Sequence, residues 1–485
     1  MIRPALVIGP ALCLATLLLP PIAGLSEPAW QVAGIAAWMA TWWLTGVIPL
    51  EATSLIPIVL LPAAGIATVG DVTRSYADPI IFLFLGGFFL AATLERWDLH
   101  KRFAFTTVRA VGTDARMVVL AFMLVSAFAS MWISNTATTV MMLPIALAVV
   151  AVSAGGQNDG GWGRSGAVEH GRGFATALLL GIAYAASIGG VSTLIGTPPN
   201  AILAGAASEL LGEEVSFASW MAIALPVSIP MLAGCWLLLT MLFRVRGTVP
   251  GLSEQLDRDK ESMGAMGAGE RFVLGVFAVT AIAWIMRAPK SIGDVRIPGL
   301  TDLIPGISDA GIAIAAAILL FAIPLPRQRF RTALDWDTAR KVPWGVLLLF
   351  GGGLALASGF ATSGLTEWLG SQLGGLRGVP FPVVVLATAG LFVFLTELTS
   401  NTATAALGMP LMVGVGAGLG LAPLPLMTAA ALAASMAFML PVATPPNAIV
   451  FGSRAVSPKD MARAGILLNL LSIAVITGIM WLRMG

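Results

Sequence analysis

Two copies of a short polar motif stand in otherwise apolar stretches of this chain. Ser-Asn-Thr occupies residues 134–136 and again 400–402, and each copy is followed by Thr-Pro-Pro-Asn, at residues 197–200 and 444–447. Hydroxyl and amide oxygens are suited to a hard cation, and the adjacent prolines interrupt a helix. In lipid, such interruptions are tolerated only where the backbone lines a cavity or is buried in protein. The four segments are therefore candidates for one polar site within a membrane.

The same segments predict where helices begin. Ser, Thr and Asn are favoured helix N-caps, and helical character resumes after each tripeptide, at Ala137 and Ala403. Proline is favoured in the first helical turn, so Thr-Pro-Pro-Asn also predicts a helix start. Each start presents unpaired N–H groups and partial positive charge, which favour an anion. Because the motifs contain no Lys or Arg, amides, hydroxyls and helix ends would hold that anion.

A cation near each motif would balance the charge of the anion. A hydroxyl stands four residues before the serine of each motif, Ser130 before Ser134 and Thr396 before Ser400. Hydroxyl, Asn side-chain and unwound backbone oxygens coordinate Na⁺ in discontinuous membrane helices. The residues therefore predict Na⁺ beside each motif, where it lowers the electrostatic cost of the incoming anion.

These residues also have a purely structural interpretation. A single Ser-Asn-Thr in a membrane helix more often forms hydrogen bonds between helices than a ligand site. Its duplication, the matched downstream breaks and the matched upstream hydroxyls favour a site. Glu397 is an acidic residue three positions before Ser400, and its counterpart in the first half is Met131. It either holds the second motif in place or takes part in coupling, and the sequence leaves both roles open.

Composition sets the class of protein. Of the 485 residues, 57% are hydrophobic and only 11% are charged, whereas a soluble domain carries about a quarter charged residues. Apolar runs of about 20 residues recur along the chain, which predicts a polytopic protein of the lipid bilayer. The net charge of +2 gives no reason to expect a nucleic-acid partner. The apolar regions hold no acid–base pair, metal cluster or nucleophile–base arrangement, so we do not expect an enzyme.

The predicted fold is all-α, with about eleven transmembrane helices and two re-entrant hairpins in an inverted-topology repeat. Matched breaks in two halves indicate a secondary transporter that binds its substrate where the halves meet. The hairpins are expected at 114–152 and 379–420, and the first four spans near 4–25, 29–47, 50–67 and 78–95. Most of the 27 basic residues then face the cytoplasm. This asymmetry places the N-terminus in the cytoplasm and the C-terminus outside.

The repeat predicts five units along the chain. Scaffold helices and a surface arm occupy 1–113, and the hairpin and spans of the first repeat occupy 114–243. A cytoplasmic linker occupies 244–270. The second repeat places its scaffold helices and arm at 271–378 and its hairpin and spans at 379–485. Residues 114–243 and 379–485 together would form the domain that carries the site.

The paired motifs, the Gly-Thr-Pro-Pro-Asn and Ala-Thr-Pro-Pro-Asn breaks, and the run from Thr396 to Thr402 resemble the divalent anion/sodium symporter family over essentially the whole chain. The resemblance implies a homodimer whose mobile domains move in the manner of an elevator. It implies a first Na⁺ site at Ser130, Ser134, Asn135 and Gly196, and a second at Thr396, Thr399, Asn401 and Ala443. It implies a substrate site at Asn135, Thr136, Thr197, Asn401, Thr402, Thr444 and Pro445.

These observations lead to one functional expectation. We expect a carrier of the bacterial plasma membrane that imports C4-dicarboxylates such as succinate, fumarate or malate together with Na⁺. Members of the family that select sulfate tend to depart from the threonine of Ser-Asn-Thr, and both Thr136 and Thr402 are retained here. A sodium-independent dicarboxylate exchanger, or a sulfate or citrate carrier of the same family, remains the alternative. A channel would not need two mirrored hairpins.

Overall fold

A computed structural model describes residues 4–155, 164–249, 251–252, 264–292, 295–325 and 331–484. The described part is mostly helical, as the composition predicts. Much of the predicted linker 244–270 lies outside the described residues. A two-stranded antiparallel hairpin, β1 (Lys290–Ile292) with β2 (Val295–Ile297), is the strand structure in this described part.

Among its described residues, the first half contains twelve α-helices: α1 Pro4–Leu18, α2 Glu27–Thr45, α3 Leu50–Thr53, α4 Ile56–Ala63, α5 Val69–Arg74, α6 Pro79–Arg96, α7 Leu99–Val111, α8 Ala115–Ser130, α9 Asn135–Gly155, α10 Arg164–Gly190, α11 Pro198–Leu211 and α12 Phe217–Leu242. The second half contains eleven in its described part: α13 Ala268–Ile285, α14 Leu300–Leu303, α15 Asp309–Ala322, α16 Trp336–Ala339, α17 Trp344–Ser363, α18 Leu365–Gln372, α19 Phe381–Leu398, α20 Asn401–Leu419, α21 Pro423–Ala434, α22 Pro445–Gly452 and α23 Pro458–Met484.

Nine helices among the described residues are long and apolar enough to cross a membrane. These nine include α9, α19 and α20, which are arms of the two predicted hairpins. Several predicted spans are shorter than expected or divided. Helix α1 ends at Leu18, just before Pro20 and Pro21, and the predicted span at 50–67 is divided into α3 and α4.

The division between α3 and α4 is stabilised by side chains. Ser54 occupies the break and is fully buried, and its hydroxyl lies 3.2 Å from Trp43 Nε1. The Tyr76 hydroxyl donates to the Ser54 carbonyl oxygen. Buried backbone groups require such partners because an unpaired carbonyl in an apolar interior is costly. The span is therefore divided into two short helices because the polar groups at the break between them have hydrogen-bond partners.

Both predicted hairpins are present as pairs of helices. Helices α8 and α9 are joined by residues 131–134, and α19 and α20 are joined by Thr399 and Ser400. Each hairpin packs against a helix that is itself broken. In the first half α10 ends at Gly190, and in the second half α21 ends at Ala434. In both halves the next helix begins at the first proline of Thr-Pro-Pro-Asn. The matched breaks predicted from the sequence are therefore present in both halves.

Candidate functional site

The turns of both hairpins face one large cavity of about 1220 Å³. This volume exceeds the roughly 300–1000 Å³ of most small-molecule pockets. The cavity also reaches along α6, from Phe84 to Arg96. All the residues predicted to bind substrate line it, together with most of the predicted Na⁺ ligands: Ser134, Asn135, Thr136, Gly196, Thr197, Thr399, Asn401, Thr402, Ala443, Thr444 and Pro445.

The remaining two predicted ligands, Ser130 and Thr396, lie fully buried behind the cavity wall. The Ser130 hydroxyl donates to Asn135 Oδ1 at 2.6 Å. The Thr396 hydroxyl lies 2.7 Å from Asn401 Oδ1 and 2.7 Å from the Ala434 carbonyl oxygen. The same pair, a helix hydroxyl and the motif asparagine five residues later, thus forms independently in each half.

Backbone oxygens complete the first of these clusters. A Cβ atom at Gly196 would clash with the carbonyl oxygens of Gly190 and Ser130, and a Cβ at Gly190 would clash with Asn135 Oδ1. Two glycines are required here because the backbone of the break approaches the hairpin turn too closely for a side chain. Side-chain and carbonyl oxygens therefore converge around Gly190 and Gly196, an oxygen-rich environment suited to a hard cation.

Two helix starts agree with the sequence and two lie earlier than predicted. Helices α11 and α22 begin at Pro198 and Pro445, as the motifs predict, whereas α9 and α20 begin at Asn135 and Asn401, two residues before the expected Ala137 and Ala403. The Ser134 hydroxyl accepts a capping hydrogen bond from the Ala137 N–H group at 3.2 Å. Ser400, Thr197 and Thr444 form no such cap. Their hydroxyls remain available to a ligand.

The asparagine that ends each Thr-Pro-Pro-Asn holds the preceding break together. Asn200 Nδ2 donates to carbonyl oxygens between Gly190 and Thr193. Asn447 Nδ2 donates to the carbonyl oxygens of Ala437 and Leu440. Both side chains are fully buried. Sequence reasoning named the tetrapeptides without giving these asparagines a role, although their repetition was a signal.

Glu397 organises the break of the second half. Its Oε1 accepts from the N–H groups of Phe438 and Met439 at 2.7 and 2.8 Å, and its Oε2 accepts from Leu440 N–H at 3.1 Å. Asn469 Nδ2 also donates to Oε1, at 2.8 Å. The carboxylate therefore pairs with unwound backbone that leads to Ala443 and Thr444. Of the two roles left open by the sequence, this geometry favours holding the site in shape.

Tyr184 supports the same segment and was not identified from the sequence. Its hydroxyl donates to the Phe438 carbonyl oxygen at 2.8 Å, and its side chain is fully buried. The sequence separation is more than 250 residues. No local pattern indicated this contact.

Charged side chains line the cavity at one end. Glu95, Arg96, Lys341 and no other charged residue of the described chain appear among the lining residues. Arg96 pairs with Asp335, with 2.5 Å between Nη2 and Oδ2. Burial alone would raise the pKa of Asp335, but the hydrogen bonds from Thr338 and Arg96 together outweigh it and lower that pKa. The described residues contain no group of three His, Cys, Asp or Glu side chains that could hold a metal ion.

Comparison with known proteins finds similarity along almost the whole chain. Residues 4–484 match the family described as sodium:sulfate symporter transmembrane region. A sodium-dependent dicarboxylate transporter, SdcS, of Staphylococcus saprophyticus is 41% identical over 481 residues, which cover 97% of this chain and 89% of that protein. The SdcS protein of Staphylococcus aureus is 42% identical over 474 residues, with the same coverage.

A solved structure shares the fold. The YdaH transporter of Alcanivorax borkumensis superimposes with a TM-score of 0.55 over 95% of this chain and 99% of that chain, at 13% identity. The helical fold and the sequence relatives define a membrane transport protein. The chain belongs to the sodium:sulfate symporter family.

Proposed function

We propose that this protein is a sodium-coupled carrier that imports C4-dicarboxylates such as succinate, fumarate or malate across the bacterial plasma membrane. The observation that carries the proposal is the meeting of both hairpin turns in one cavity, each with the same hydroxyl–asparagine pair behind it. The names of the SdcS relatives agree with sodium and a dicarboxylate.

Two Na⁺ ions fit the two oxygen clusters. At the first site, the ligands would be Ser130, Ser134, Asn135 and backbone at Gly196. At the second, they would be Thr396, Asn401 and backbone at Thr399 and Ala443. When Na⁺ binds, each buried hydroxyl turns its proton away and offers a lone pair to the ion. Two Na⁺ and one dianion form a neutral complex, so electrogenic uptake would require a third cation.

The dianion would lie between the two turns. One carboxylate would contact Asn135 and Thr136, and the other would contact Asn401 and Thr402. Thr197, Thr444 and Pro445 would line the remaining wall. The four helix starts around the cavity supply N–H groups and partial positive charge to both carboxylates.

The movement would be of the elevator type, in a homodimer. Residues 114–243 and 379–485 would move as the transport domain against a scaffold formed by 1–113 and 271–378. Small residues lie between these parts. Gly353 of α17 faces Ala406 of α20, and Gly205 of α11 faces Leu354 of α17. If the N-terminus is cytoplasmic, the end of the cavity at Arg96 faces the cytoplasm, and this conformation is open inward.

Uptake into proteoliposomes tests the proposal. Purified protein should accumulate radiolabelled succinate with an inward Na⁺ gradient and not with an equal K⁺ gradient. Uptake that is independent of Na⁺ but requires internal dicarboxylate would establish the exchanger instead. If sulfate or citrate competes better than succinate, the protein would instead be a sulfate or citrate carrier of the same family.

Substitutions test the site itself. Asn135→Ala and Asn401→Ala should each abolish Na⁺-driven uptake while the protein remains folded by size-exclusion chromatography. Gln372→Ala, an exposed amide outside the cavity, is the matched control and should transport normally. Normal uptake by both asparagine variants would refute the assignment of the site.

A further inference from the structure

An ionic cluster joins segments that the proposed mechanism assigns to different domains, with Arg287 and Asp309 buried and Glu214 largely exposed. Arg287 follows α13 and only 11% of its side chain is exposed. Its Nη2 lies 2.6 Å from Glu214 Oε1, and its Nε lies 2.8 Å from Asp309 Oδ1. Glu214 stands between α11 and α12, whereas Asp309 begins α15. Because 70% of the Glu214 side chain is exposed, its pair with Arg287 contributes little stability. Resistance to separation comes mainly from the buried contacts of Asp309.

Asp309 makes two further contacts, one across the same boundary and one within the scaffold. Its Oδ2 accepts from the N–H group of Phe217, the first residue of α12, at 2.8 Å. Its carbonyl oxygen accepts from Trp284 Nε1 at 2.9 Å. One aspartate therefore pairs with Arg287 and also satisfies the N-terminus of a helix of the other domain.

Aromatic rings stack beside the ionic cluster. Phe217 and Trp284 stack with 4.5 Å between ring centroids and 20° between planes. Trp132, in the turn of the first hairpin, stacks on Phe217 at 6.0 Å and lies parallel to Trp284 at 6.4 Å. We name the whole set the Arg287 latch, and it consists of Trp132, Glu214, Phe217, Trp284, Arg287 and Asp309.

The latch lies at the end of the scaffold away from the open end of the cavity. Helices α6 and α15 run in parallel, because Gly86 faces Ala313 and Phe89 contacts Phe321. Asp309, at the start of α15, is therefore level with the first turns of α6. The cavity extends the other way, toward Arg96 at the end of α6. The latch thus closes the side of the protein opposite the opening.

The latch occurs once, although the fold is repeated. The position equivalent to Trp132 by motif spacing is Leu398, and those equivalent to Glu214 and Phe217 by the start of the following helix are Ala455 and Pro458. These residues are apolar and form no ion pair. Elsewhere the proposed domain boundary is crossed by close packing of Gly353 on Ala406 and of Gly205 on Leu354, and by a hydrogen bond from Arg377 Nε to the Gly418 carbonyl oxygen at 3.1 Å. Among these contacts the ionic cluster is specific to one end state of the movement.

We propose that the Arg287 latch holds the transport domain in the conformation whose cavity opens at Arg96, and that its contacts separate in every transport cycle. This inference rests on the proposed elevator movement. Loaded with Na⁺ and substrate, the domain would leave Asp309 and Arg287 on the scaffold and carry Glu214 and Phe217 away. The empty carrier would then rest mainly with its cavity open at Arg96.

Cross-linking tests whether the latch separates. A Glu214→Cys/Arg287→Cys variant, joined by a reducible bis-methanethiosulfonate linker, should lose at least about nine-tenths of its Na⁺-driven succinate uptake and regain it after reduction. The native Cys13 and Cys235 are both buried. The matched control is Arg296→Cys/Asp302→Cys, which replaces an ion pair of 2.8 Å within the scaffold alone. Its uptake should survive cross-linking.

Undiminished uptake by fully cross-linked Glu214→Cys/Arg287→Cys protein would overturn the proposal. Absence of Na⁺-driven uptake in the unsubstituted protein would instead refute the proposed function, so the two failures are distinguishable. If the double variant does not fold, a cysteine at Ala92 in the cavity wall reports the equilibrium by thiol labelling. Arg287→Gln should slow that labelling at least about threefold and Arg287→Lys much less. Equal labelling rates in all three backgrounds would also overturn the proposal.

Discussion

Replacing Glu397 by glutamine tests whether its carboxylate shapes the second half of the site. The substitution preserves size and removes the charge. Three donors, the N–H groups of Phe438 and Met439 and the amide of Asn469, would still meet an oxygen at the Oε1 position. The fourth, Leu440 N–H, would meet an amide NH₂ group in place of Oε2. Two donors would then face each other in a site that is only 3% exposed.

The magnitude follows from these four contacts. Hydrogen bonds to a charged group contribute about 1.5–3 kcal/mol and neutral ones about 0.5–1.5 kcal/mol, so the three retained bonds weaken by roughly 1 kcal/mol each. The unsatisfied Leu440 N–H costs about 1–3 kcal/mol more. Glutamine needs less desolvation than a carboxylate, which offsets part of the loss. A net loss of roughly 3 kcal/mol in the conformation that binds Na⁺ corresponds to about a hundredfold weaker binding.

Two assays measure this effect. The Na⁺ dependence of succinate uptake should shift to at least about tenfold higher concentration, and the thermal unfolding temperature of purified protein should fall. Glu209→Gln, at an exposed position of α11, is the matched control and should change neither quantity. If the Na⁺ dependence of Glu397→Gln lies within about twofold of the unsubstituted protein, the carboxylate does not shape the site and the reasoning fails.

Three further predictions follow from single contacts. Gly190→Ala should abolish Na⁺-driven uptake, because its Cβ would displace Asn135 Oδ1; Gly275→Ala, at an open helical position, should transport normally. Tyr184→Phe should lower the free energy of unfolding by about 1–2 kcal/mol, because the buried Phe438 carbonyl loses a donor; an unchanged unfolding temperature would contradict this. Burial of His100, opposed by Asp98, lowers the pKa of this residue of α7. The stability it contributes is therefore complete above the ordinary histidine pKa of about 6.5 and declines as the pH falls below that value. The unfolding temperature should fall less between about pH 7.5 and 5.5 in His100→Gln than in the unsubstituted protein, and equal falls would exclude His100.

Local sequence was sufficient for much of the site. Proline is favoured in the first helical turn, so each Thr-Pro-Pro-Asn predicted a helix start. The helix starts at Pro198 and Pro445 were therefore predictable, and those at Asn135 and Asn401 were predicted two residues too late. The length of α1 and the division of the span at 50–67 were harder to predict from the sequence. A buried contact such as that of Tyr76 with Ser54 stabilises a break that helix propensity alone does not predict.

The sequence by itself determined the apolar class of the protein, the two polar motifs and the kind of oxygen each offers, because those properties reside in single residues and short spacings. The tertiary structure alone decided that Glu397 meets Asn469 and residues 438–440, that Tyr184 supports Phe438, and that Arg287 lies between Glu214 and Asp309. Each of these contacts joins residues about 20 to more than 250 positions apart. Their formation depends on how whole helices pack, and helical periodicity in one segment carries no information about its distant partner.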